Sequence, residues 1–494
     1  MKIMPYEAYK KKAQNNHRVC VTAELPGDTE TPITLYQKLQ QPGGTFLLES
    51  VADGVRRGRY SFIGSKPEKR LTSYGLKWKV TYRDGCIEEG EGKVLDHLKE
   101  MLGDAIPSPI EEGPDFIGGA VGTMGYDLIR QYENLGEPGE DDRQLPDADF
   151  FIMNQLVAFD HARQTILLMV VTETKGSLFH NYGKAVQKLK QMEETIHQPV
   201  VKKMEKHGSQ YKNRSISSTE TKDSFSEKIL KAKEYIRNGD IFQVVLSQRY
   251  CVEPAPAPFE TYRKLRNLNP SPYLFYFDFD DYQLVGASPE MLVKCTKGTI
   301  ETCPIAGTRP RGKTTEEDEL LATEMASDEK EKAEHLMLVD LARNDVGRVS
   351  EFGSVKVDPF MVVKKFSHVM HLVTEVQGKL RNNTNTFDAL ASCLPAGTLS
   401  GAPKIRAMEI IDELEPVKRG PYGGAVGYFS YNGHMDTCIT IRSVLFQDQK
   451  AYVQAGAGIV EDSVPEAEYQ ESYRKAQGML QVLVEDEERE EKAQ

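Results

Sequence analysis

The sequence has few of the features that mark exported, membrane-spanning or nucleic-acid-binding proteins. No apolar run approaches the ~20 residues that a membrane-spanning helix needs. Residues 1–14 lack the apolar core of a signal peptide. The formal net charge of −12 argues against a general nucleic-acid binder. With 39% hydrophobic and 28% charged residues, the composition is that of an ordinary globular protein, and we expect neither a membrane nor a nucleic-acid partner.

Cysteine is scarce as well. The chain has seven cysteines, an odd number, and no C-x-x-C pair. Such scattered cysteines are typical of reduced thiols in a cytoplasmic protein, and they argue against a disulfide framework or a zinc site. The seven are Cys20, Cys86, Cys251, Cys295, Cys303, Cys393 and Cys438.

One polar and basic stretch, residues 201–223, divides the chain. It contains few large apolar residues, and this composition indicates an exposed linker. We therefore predict an N-terminal region over residues 1–200, a second region over 224–485, and a charged tail over 486–494.

Segments rich in β-branched and aromatic residues dominate both regions, and many are joined by short turns such as RDG, KG and YNG. Short turns favour antiparallel pairing over a doubly wound parallel sheet. After the linker, Ser224 and Glu227 have the spacing of a capping box. The expected class is α+β, with helices over 224–238, 258–268, 316–343, 403–413 and 465–485.

A short sequence occurs twice. GGAVGTMGYD at 118–127 resembles GGAVGYFSYN at 423–432. Either the likeness is chance between glycine-rich strands, or both halves contribute equivalent strands to one duplicated β architecture. In the second case the linker would not separate two independent domains.

Two pairs of glutamates have E-x-x-E spacing: Glu331 with Glu334, and Glu468 with Glu471. Each pair projects from one face of a predicted helix, where like charges repel. Four converging carboxylates would need a hard divalent cation such as Mg²⁺, which would in turn receive an anionic substrate. The alternative is that each pair lies on a solvated helix face.

The phase of the first helix favours the metal site. Glu331 and Glu334 fall on one stripe with Leu338 and Leu341, so this stripe should face inward. A buried carboxylate without a partner is costly, and a cation would compensate it. On the other helix, Lys475 lies one turn beyond the acidic pair.

Five further residues carry groups suited to binding or proton transfer. Arg442 is a structural salt-bridge partner, an outward-facing residue, or a clamp for a carboxylate. Tyr422 is either bonded to a local carbonyl or part of that clamp. His371 is either a structural residue, or a general acid or base, or an imidazole that orients a substrate. Thr398 precedes a helix start whose N–H groups suit an oxyanion. Glu290 is an ordinary turn residue unless it faces a metal pocket, where it could keep a proton.

Gly456 and Gly458 precede the second acidic helix and let backbone N–H groups approach an anion. A lone G-x-G is weak evidence, because turns account for most of them. The dinucleotide-binding pattern G-x-G-x-x-G is not completed, so we do not expect a dinucleotide.

Several motifs, taken together, resemble the chorismate-utilising enzymes, and within them the large, aminase subunits of anthranilate synthase. LLES and IGGAVGTMGYD lie in the N-terminal region. In the second region the motifs are, in order, SPE, PIAGTRPRG, EKAEHLMLVDLARND, VMHLV, PAGTLSGAPK, DTCITIRS and AGAGIV–SVPEAEYQES. The resemblance implies two packed, mainly antiparallel sheets with helices on the outside.

The resemblance also implies roles for individual residues. Both E-x-x-E pairs would bind Mg²⁺, which would hold one carboxylate of chorismate. Glu290 would be the general acid for loss of the 4-hydroxyl, and His371 and Thr398 would contact the ring. The residues implied to bind the rest of the substrate are Gly307, Thr308, Tyr422, Arg442, Gly456, Ala457, Gly458 and Lys475.

Two positions distinguish the reactions of relatives. Isochorismate synthases carry a lysine where this chain has Gln243, and aminodeoxychorismate synthases carry one where it has Ala306. Without either base, the expected nucleophile is ammonia, and the expected products are anthranilate and pyruvate. The alternatives are an aminodeoxychorismate synthase, or a catalytically silent protein that binds tryptophan.

LLES resembles the tryptophan-binding motif of feedback-regulated relatives. The implied inhibitor residues are Glu49, Ser50, Pro272, Tyr273, Leu274, Val426 and Tyr428. The chain lacks a glutaminase motif such as G-x-C-x-G, so we expect ammonia from a separate glutamine amidotransferase subunit in a cytoplasmic hetero-oligomer.

Overall fold

A computed structural model gives the fold of the chain. It describes residues 1–51, 58–107, 113–200, 214–365 and 369–484, and within these it does not describe the side chains of Thr308 and Lys330. The tail predicted at 486–494 and residues 201–213 of the predicted linker lie outside the described residues. No helix in the described ranges is long and apolar enough to cross a membrane.

The strands of the first half are β1 Lys2–Ile3, β2 Arg18–Pro26, β3 Thr45–Glu49, β4 Tyr60–Ser65, β5 Lys69–Tyr74, β6 Lys77–Tyr82, β7 Ile87–Glu91, β8 Gly119–Met124, β9 Ala148–Met153, β10 Gln155–Asp160 and β11 Thr165–Glu173. Those of the second half are β12 Ser215–Ser218, β13 Gln243–Glu253, β14 Tyr273–Asp278, β15 Gln283–Ser288, β16 Met291–Thr296, β17 Thr299–Thr302, β18 Ile305–Pro310, β19 Lys356–Val357, β20 Val362–Lys365, β21 Val369–Val373, β22 Val376–Lys379, β23 Gly401–Ala402, β24 Ala425–Ser430, β25 Met435–Ile439, β26 Ser443–Gln447 and β27 Lys450–Ile459.

The α-helices are α1 Tyr6–Ala13, α2 Pro32–Leu39, α3 Val94–Leu102, α4 Leu178–His197, α5 Lys222–Arg237, α6 Pro258–Leu268, α7 Thr315–Ser327, α8 Glu329–Gly347, α9 Thr386–Cys393, α10 Lys404–Leu414 and α11 Pro465–Val484. Two 3₁₀ helices span Tyr126–Gln131 and Gly397–Leu399.

Two large antiparallel sheets form the framework. The larger has 13 strands, in the order β1-β2-β11-β10-β4-β3-β14-β15-β26-β27-β13-β12, with β23 paired to β13. The smaller has 11 strands, in the order β19-β22-β17-β16-β25-β24-β8-β9-β5-β6-β7. Buried aromatic residues such as Phe116, Phe150 and Phe429 form the main core cluster with residues of both sheets. The α+β class and the two antiparallel sheets are thus confirmed.

The strand orders reveal an internal duplication. In the smaller sheet β8 pairs with β24, and Gly122 lies opposite Gly427, its equivalent in the repeated GGAVG sequence. Counting outward, the equivalent strands are β9 and β25, β5 and β16, β6 and β17, and β7 and β22. The larger sheet is symmetric about β3 and β14 in the same way. Chance similarity would not produce this order, so the duplicated architecture is confirmed.

Equivalent glycines make equivalent contacts beside the central pair of the smaller sheet. A Cβ on Gly122 would lie 1.9 Å from the carbonyl oxygen of Asp149. A Cβ on Gly427 would lie 2.1 Å from the carbonyl oxygen of Asp436. Only glycine therefore allows the neighbouring strands to pair at these two positions.

In the larger sheet, both halves of the chain contain the same contact between an aromatic ring and a glycine on the neighbouring strand. Phe46 on β3 lies opposite Gly64 on β4, and Phe275 on β14 lies opposite Gly286 on β15. A Cβ on either glycine would lie 2.1 Å from the facing ring. The two halves therefore share side-chain packing as well as strand order.

The second half contains an insertion that the first half lacks. In the first half a tight turn at Asp84 and Gly85 joins β6 to β7. In the second half the equivalent strands β17 and β22 are separated by β18, α7, α8, β19, β20 and β21. Strands β18, β21 and β20 form a third, three-stranded sheet that the sequence did not predict.

Three boundaries differ from those predicted. Helix α5 begins at Lys222, because Thr221 and Ser224 form the capping box instead of Ser224 and Glu227. Residues 215–218, within the predicted linker, form a strand that pairs with β13. The single helix predicted over 316–343 is two helices that meet at Asp328.

We predict that Gly122→Ala and Gly427→Ala destabilise the protein to a similar extent. Each added Cβ would clash with a backbone carbonyl in the equivalent position, and such overpacking costs about 2 kcal/mol or more. The denaturant midpoint of each variant measures the effect.

Gly183→Ala is the matched control. Gly183 lies in α4 with open space where its Cβ would be, so alanine should raise stability by about 0.5–1 kcal/mol. If either strand variant were as stable as this control, the packing argument would be wrong.

Candidate active site

The candidate site lies at the strand ends on one side of the larger sheet. There β15 ends, β26 begins and β27 ends, and α11 lies beside them. Glu290 follows β15, and its carbonyl accepts a hydrogen bond from the Ile439 N–H at 3.0 Å. The Thr398 hydroxyl donates to Glu290 Oε1 at 3.3 Å. Glu290 and Thr398 both line a cavity of about 50 Å³. The structure thus brings together two residues that lie far apart in the chain.

Burial raises the pKa of the Glu290 carboxyl to about 7. The hydrogen bond from Thr398 and the charge of Lys475 both act to lower this pKa, but burial outweighs them. Glu290 is therefore about half protonated at neutral pH, where an ordinary glutamate is ionised, and is able to donate its proton, as a general acid must.

Lys475 connects α11 to the glycine strand, which is β27 with Gly456 and Gly458 near its end. Its Nζ atom lies 2.7 Å from Glu471 Oε1 and donates to the carbonyl of Gly456 at 3.1 Å. Arg442 donates from Nη1 to the carbonyl of Lys475 at 2.8 Å. The start of β26 and the middle of α11 are thereby fixed to each other.

Arg442 is a half-buried cation that the fold does not neutralise. Among the described residues no carboxylate lies within ion-pair distance of it. Burial lowers the pKa of its guanidinium, whereas the nearby Tyr422 raises it. The salt-bridge interpretation of Arg442 is therefore wrong, and its charge is available for an anion that enters the site.

The glycine strand gives the site an open backbone edge. Strand β27 pairs with β13 along its last residues but with β26 only as far as Val453. Gly456, Ala457 and Gly458 therefore have one edge that no strand in the described ranges covers. A Cβ on Gly458 would lie 2.6 Å from Gln243 Nε2, so glycine keeps this part of the site open.

The third sheet contributes His371. Its Nδ1 lies 2.7 Å from the carbonyl of Gly307, an acceptor, so Nδ1 carries the proton. Burial lowers the pKa of His371, and the charge of Arg442 lowers it further. A neutral imidazole next to Arg442 is suited to contact a bound ring. The side chain of neighbouring Thr308 lies outside the described residues.

Glu331 lies at the start of α8, next to Gly307. A Cβ on Gly307 would lie 2.9 Å from Glu331 Oε2, and the positive φ of +63° at this residue also favours glycine. Arg309 approaches the same carboxylate, with Nη1 3.0 Å from Oε1. Arg309 was not among the predicted site residues, although it lies in the PIAGTRPRG motif.

The predicted inward stripe of α8 is only partly correct. Leu338 is buried and Glu331 half-buried, but Glu334 is exposed. The fully buried residue of this turn is His335, whose Nε2 lies 2.6 Å from Thr374 Oγ1. This polar contact rotates the buried face of the helix, so that the acidic pair lies at its margin.

A series of neighbouring residues links the two acidic helices. Glu468 and Glu471 are half-buried on the face of α11 that carries Lys475. The series runs through Glu331, Gly307, His371, Arg442, Lys475 and Glu471. In the described parts of the chain no three acidic, histidine or cysteine side chains are close enough to hold a metal ion.

The donor set nonetheless fits a hard cation. Carboxylate oxygens are the ligands that Mg²⁺ prefers. Here cationic groups stand against the acids of both helices: the guanidinium of Arg309 at Glu331, and the ammonium of Lys475 at Glu471.

A buried ion pair that no sequence motif predicted packs against the ring of Tyr422. Arg419 is fully buried, with Nη2 2.6 Å from Glu415 Oε1, and its guanidinium lies 5.7 Å from the centre of the Tyr422 ring. Glu415 follows the end of α10 and Arg419 lies in the loop beyond Pro416, so no helical spacing in the sequence indicates the pair.

The predicted inhibitor residues are divided between the two faces of the larger sheet. Tyr273 packs against the core cluster between the sheets, which contains Val426 and Tyr428. Leu274, on the same strand β14, belongs to the cluster on the outer face. Because successive strand residues point to opposite faces, Leu274 cannot share a side-chain pocket with Val426 and Tyr428. Leu274 could take part in the predicted inhibitor site only through its backbone, and the site itself stays a prediction.

Glu49 and Ser50 differ in whether their side-chain polar groups are already hydrogen-bonded. The buried carboxylate of Glu49 already accepts hydrogen bonds from Tyr262 at 2.5 Å and Arg266 at 2.9 Å. The Ser50 hydroxyl is buried and has no hydrogen-bond partner among the residues that the structure describes. Pro272 is half-buried just before β14. Ser50, not the carboxylate of Glu49, therefore offers an unused polar group to a ligand.

Comparison with known proteins gives a consistent result. The sequence model of the chorismate binding enzyme family matches residues 44–481. Anthranilate synthase component 1 of Acetivibrio thermocellus is 50% identical over 481 residues, covering 96% of this chain and 97% of that protein. The protein of the same name from Aquifex aeolicus is 42% identical, with 97% of each covered.

Solved structures agree with this comparison. Anthranilate synthase component I from Streptococcus pneumoniae has a TM-score of 0.76 and 39% identity, covering 92% of this chain and 98% of that one. The menaquinone-specific isochorismate synthase of Escherichia coli has a TM-score of 0.69 at 19% identity, covering 97% of this chain and 99% of that one. The second likeness concerns the fold alone.

We predict that Glu290→Gln flattens the pH dependence of stability. The folded-state pKa is about 7 and the ordinary value 4.5, so the contribution is fully present below pH 4.5 and is lost as pH rises to about 7. The wild-type protein should lose up to about 3 kcal/mol over this interval relative to the variant. Denaturant midpoints measured across the interval check the difference.

Glu329→Gln is the control, because the Glu329 side chain is 88% exposed on α8. It should follow the wild-type curve. Parallel curves for wild type and Glu290→Gln would show that Glu290 has an ordinary pKa.

Proposed function

The chain belongs to the chorismate-binding enzymes, as an anthranilate synthase component 1, and on that premise we propose how its residues carry out the reaction. Enzymes of this kind are lyases that act on chorismate in the first step of tryptophan biosynthesis. The observation that carries the proposal is the half-buried Arg442, which has no carboxylate partner in the described ranges and is bonded to the carbonyl of Lys475, the residue whose charge acts on Glu290.

Chorismate is a dicarboxylic acid, and the site offers two different means of holding it. Arg442, Tyr422 and the N–H groups around Gly456 and Gly458 would bind the enolpyruvyl carboxylate. Lys475, which is already bonded to Gly456, would add positive charge at the same end. The ring carboxylate would lie toward the acidic helices.

The four glutamates of the E-x-x-E pairs are the proposed Mg²⁺ ligands. A bound Mg²⁺ would supply the positive charge that holds the ring carboxylate. Arg309 and Lys475 neutralise part of the acidic charge in the structure described here.

Glu290 is the proposed general acid. Its proton would go to the 4-hydroxyl of chorismate, which leaves as water when ammonia attacks C2. His371 and Thr398 would hold the ring, and Thr398 also fixes the carboxyl of Glu290. The ring then loses pyruvate and becomes aromatic. Ammonia is a nucleophile without a base, in agreement with Gln243 and Ala306 at the positions where relatives carry lysine.

A separate glutamine amidotransferase subunit is the proposed source of ammonia, so the working protein would be a hetero-oligomer. Free ammonium at high pH should replace this partner. The seven cysteines are all free thiols, and we propose the cytoplasm as the compartment.

L-Tryptophan is the proposed feedback inhibitor. The pocket that we favour lies on the inner face of the larger sheet, with Ser50, Pro272, Tyr273, Val426 and Tyr428. The Ser50 hydroxyl, which has no hydrogen-bond partner among the described residues, would accept a hydrogen bond from the inhibitor or donate one to it. Glu49 and Leu274 would support the pocket through the backbone pairing of β3 with β14.

We predict that Glu331→Gln and Glu471→Gln each lower turnover at least about 100-fold, because each removes a proposed metal ligand. The protein is incubated with chorismate, MgCl₂ and ammonium, and anthranilate fluorescence and pyruvate release are followed. The mass of the product separates anthranilate from 4-amino-4-deoxychorismate.

The controls are Glu329→Gln and Glu466→Gln, acids on the same two helices whose side chains are 88% and 48% exposed. Both should retain activity. Near-normal turnover of the ligand variants, or full activity with EDTA, would refute the metal site. A wild-type chain that released no pyruvate would refute the enzyme assignment itself.

We predict that Ser50→Phe abolishes inhibition by L-tryptophan and spares catalysis, because the ring fills the pocket. Ser50→Ala removes one hydrogen bond and should weaken inhibition about fivefold, the equivalent of about 1 kcal/mol. Anthranilate formation at increasing L-tryptophan concentrations measures both effects.

Leu274→Met is the control. It conserves volume and lies on the outer face of the sheet, so inhibition should be unchanged. If Ser50→Phe were inhibited like the wild type, tryptophan would bind elsewhere.

A further inference from the structure

The N-terminal half contains a cavity of about 110 Å³ that the proposed reaction does not use. It lies between the end of β4, the start of β10 and helix α4. Its polar lining residues are Gln41, Ser65, Lys66, Arg83, Gln155, Lys188, Gln191 and Thr195.

This cavity is the counterpart of the active site under the internal duplication. Strands β4 and β10 are equivalent to β15 and β26, and helix α4 follows β11 as α11 follows β27. The end of β4 continues as GSKPE and the end of β15 as GASPE, so Glu68 corresponds to Glu290. Lys188 on α4 lies 3.0 Å from Glu68, just as the charge of Lys475 on α11 acts on Glu290.

The acidic residues of the catalytic half are missing from this copy. Glu471 and Glu468 lie four and seven residues before Lys475. The residues four and seven positions before Lys188 are Lys184 and Asn181. A copy that has lost both carboxylates is not suited to Mg²⁺. An anion in this cavity would have to be held by protein cations directly.

Two cations of the cavity are available for this. No carboxylate within the described ranges lies at ion-pair distance from Lys66 or Arg83. Lys66 is half-buried and has a positive φ of +57°. Against these two charges and Lys188, the carboxylate of Glu68 supplies one negative charge. The cavity therefore has an excess of positive charge, although the whole chain carries −12.

We propose that this cavity binds a small organic carboxylate directly, without a metal ion, through Lys66, Arg83 and the amide of Gln155. The binding is independent of catalysis and goes beyond the proposed function. The ammonium of Lys66 and the guanidinium of Arg83 bind a carboxylate by charge-assisted hydrogen bonds. A carboxylate fits better than a phosphate because the third polar group, an amide, is neutral and Glu68 remains close.

The test uses the full chain with the substitution Arg442→Gln, which removes anion binding at the active site. Malonate is added at constant ionic strength, with inorganic phosphate and chloride in parallel, and the thermal midpoint is recorded. A ligand that binds only the folded state raises the midpoint as its concentration increases. We expect malonate to raise the midpoint more than phosphate, and chloride to have no effect.

Lys66→Gln and Arg83→Gln, each added to this background, should reduce the apparent affinity for malonate at least about tenfold, the equivalent of one lost charge-assisted bond. Lys190→Gln is the control, because Lys190 is exposed on α4 and does not line the cavity. The midpoint of each variant without malonate verifies that it is folded. Isothermal calorimetry with malonate gives a second measure of affinity.

Equal shifts in all variants would show a general solvent effect of malonate and overturn the proposal. A larger shift with phosphate than with malonate would overturn the carboxylate assignment. Neither outcome bears on the turnover of chorismate, because the experiment contains no substrate and its background already lacks Arg442.

Discussion

The close pairing of β8 with β24 is the constraint on which the rest of the molecule depends. It joins the two halves of the chain. Glycine at 122 and 427 lets each of these strands also pair with its outer neighbour, β9 or β25, because the carbonyl groups of Asp149 and Asp436 on those neighbours occupy the space of a Cβ. The central pair of the larger sheet, β3 with β14, also joins one half to the other. Neither sheet can be completed by one half alone. The edge of the larger sheet that forms the active site is therefore positioned by contacts across the whole chain.

The internal duplication shows what distinguishes the half that contains the candidate active site from the other half. Both halves place a glutamate after the strand that ends in Gly-x-x-Pro, and both place a lysine from the covering helix near it. Only the second half has the inserted sheet and helix α8. The insertion supplies Gly307, His371 and Glu331 on the side of the site opposite α11. In the first half a tight turn takes the place of this insertion, and lysine replaces one of the acids of α11.

The sequence predicts well the features that are encoded locally. The E-x-x-E pairs, the repeated GGAVG and the glycine strand are short motifs, and the helices at 258–268 and 465–485 follow from continuous patterns. The features that it does not predict depend on distant contacts. The bond between His335 and Thr374, 39 residues apart, rotates the buried face of α8. The break at Asp328 leaves both flanking segments with helical patterns, so the pattern alone does not show it.

A second limit on prediction from sequence is which face of the sheet each strand residue points to. Tyr273 and Leu274 are neighbours in one motif, yet they face opposite sides of the sheet. Which side is the inner one depends on the register between β3 and β14, whose partners lie more than 200 residues apart. No local pattern contains this information. The same holds for Arg442: that no described carboxylate pairs with it becomes apparent only when every neighbouring strand and helix is in place.

The charges of the active site form one consistent arrangement. An ionised Glu290 would cancel part of the positive charge of Arg442 and Lys475, which an incoming dicarboxylic acid needs. Burial reduces this ionisation by raising the pKa of Glu290 to about 7, although the charge of Lys475 acts to lower it. Lys475 is held instead by Glu471 and the carbonyl of Gly456. The proton that a general acid must deliver and the positive charge that binds the substrate are thus preserved by the same burial.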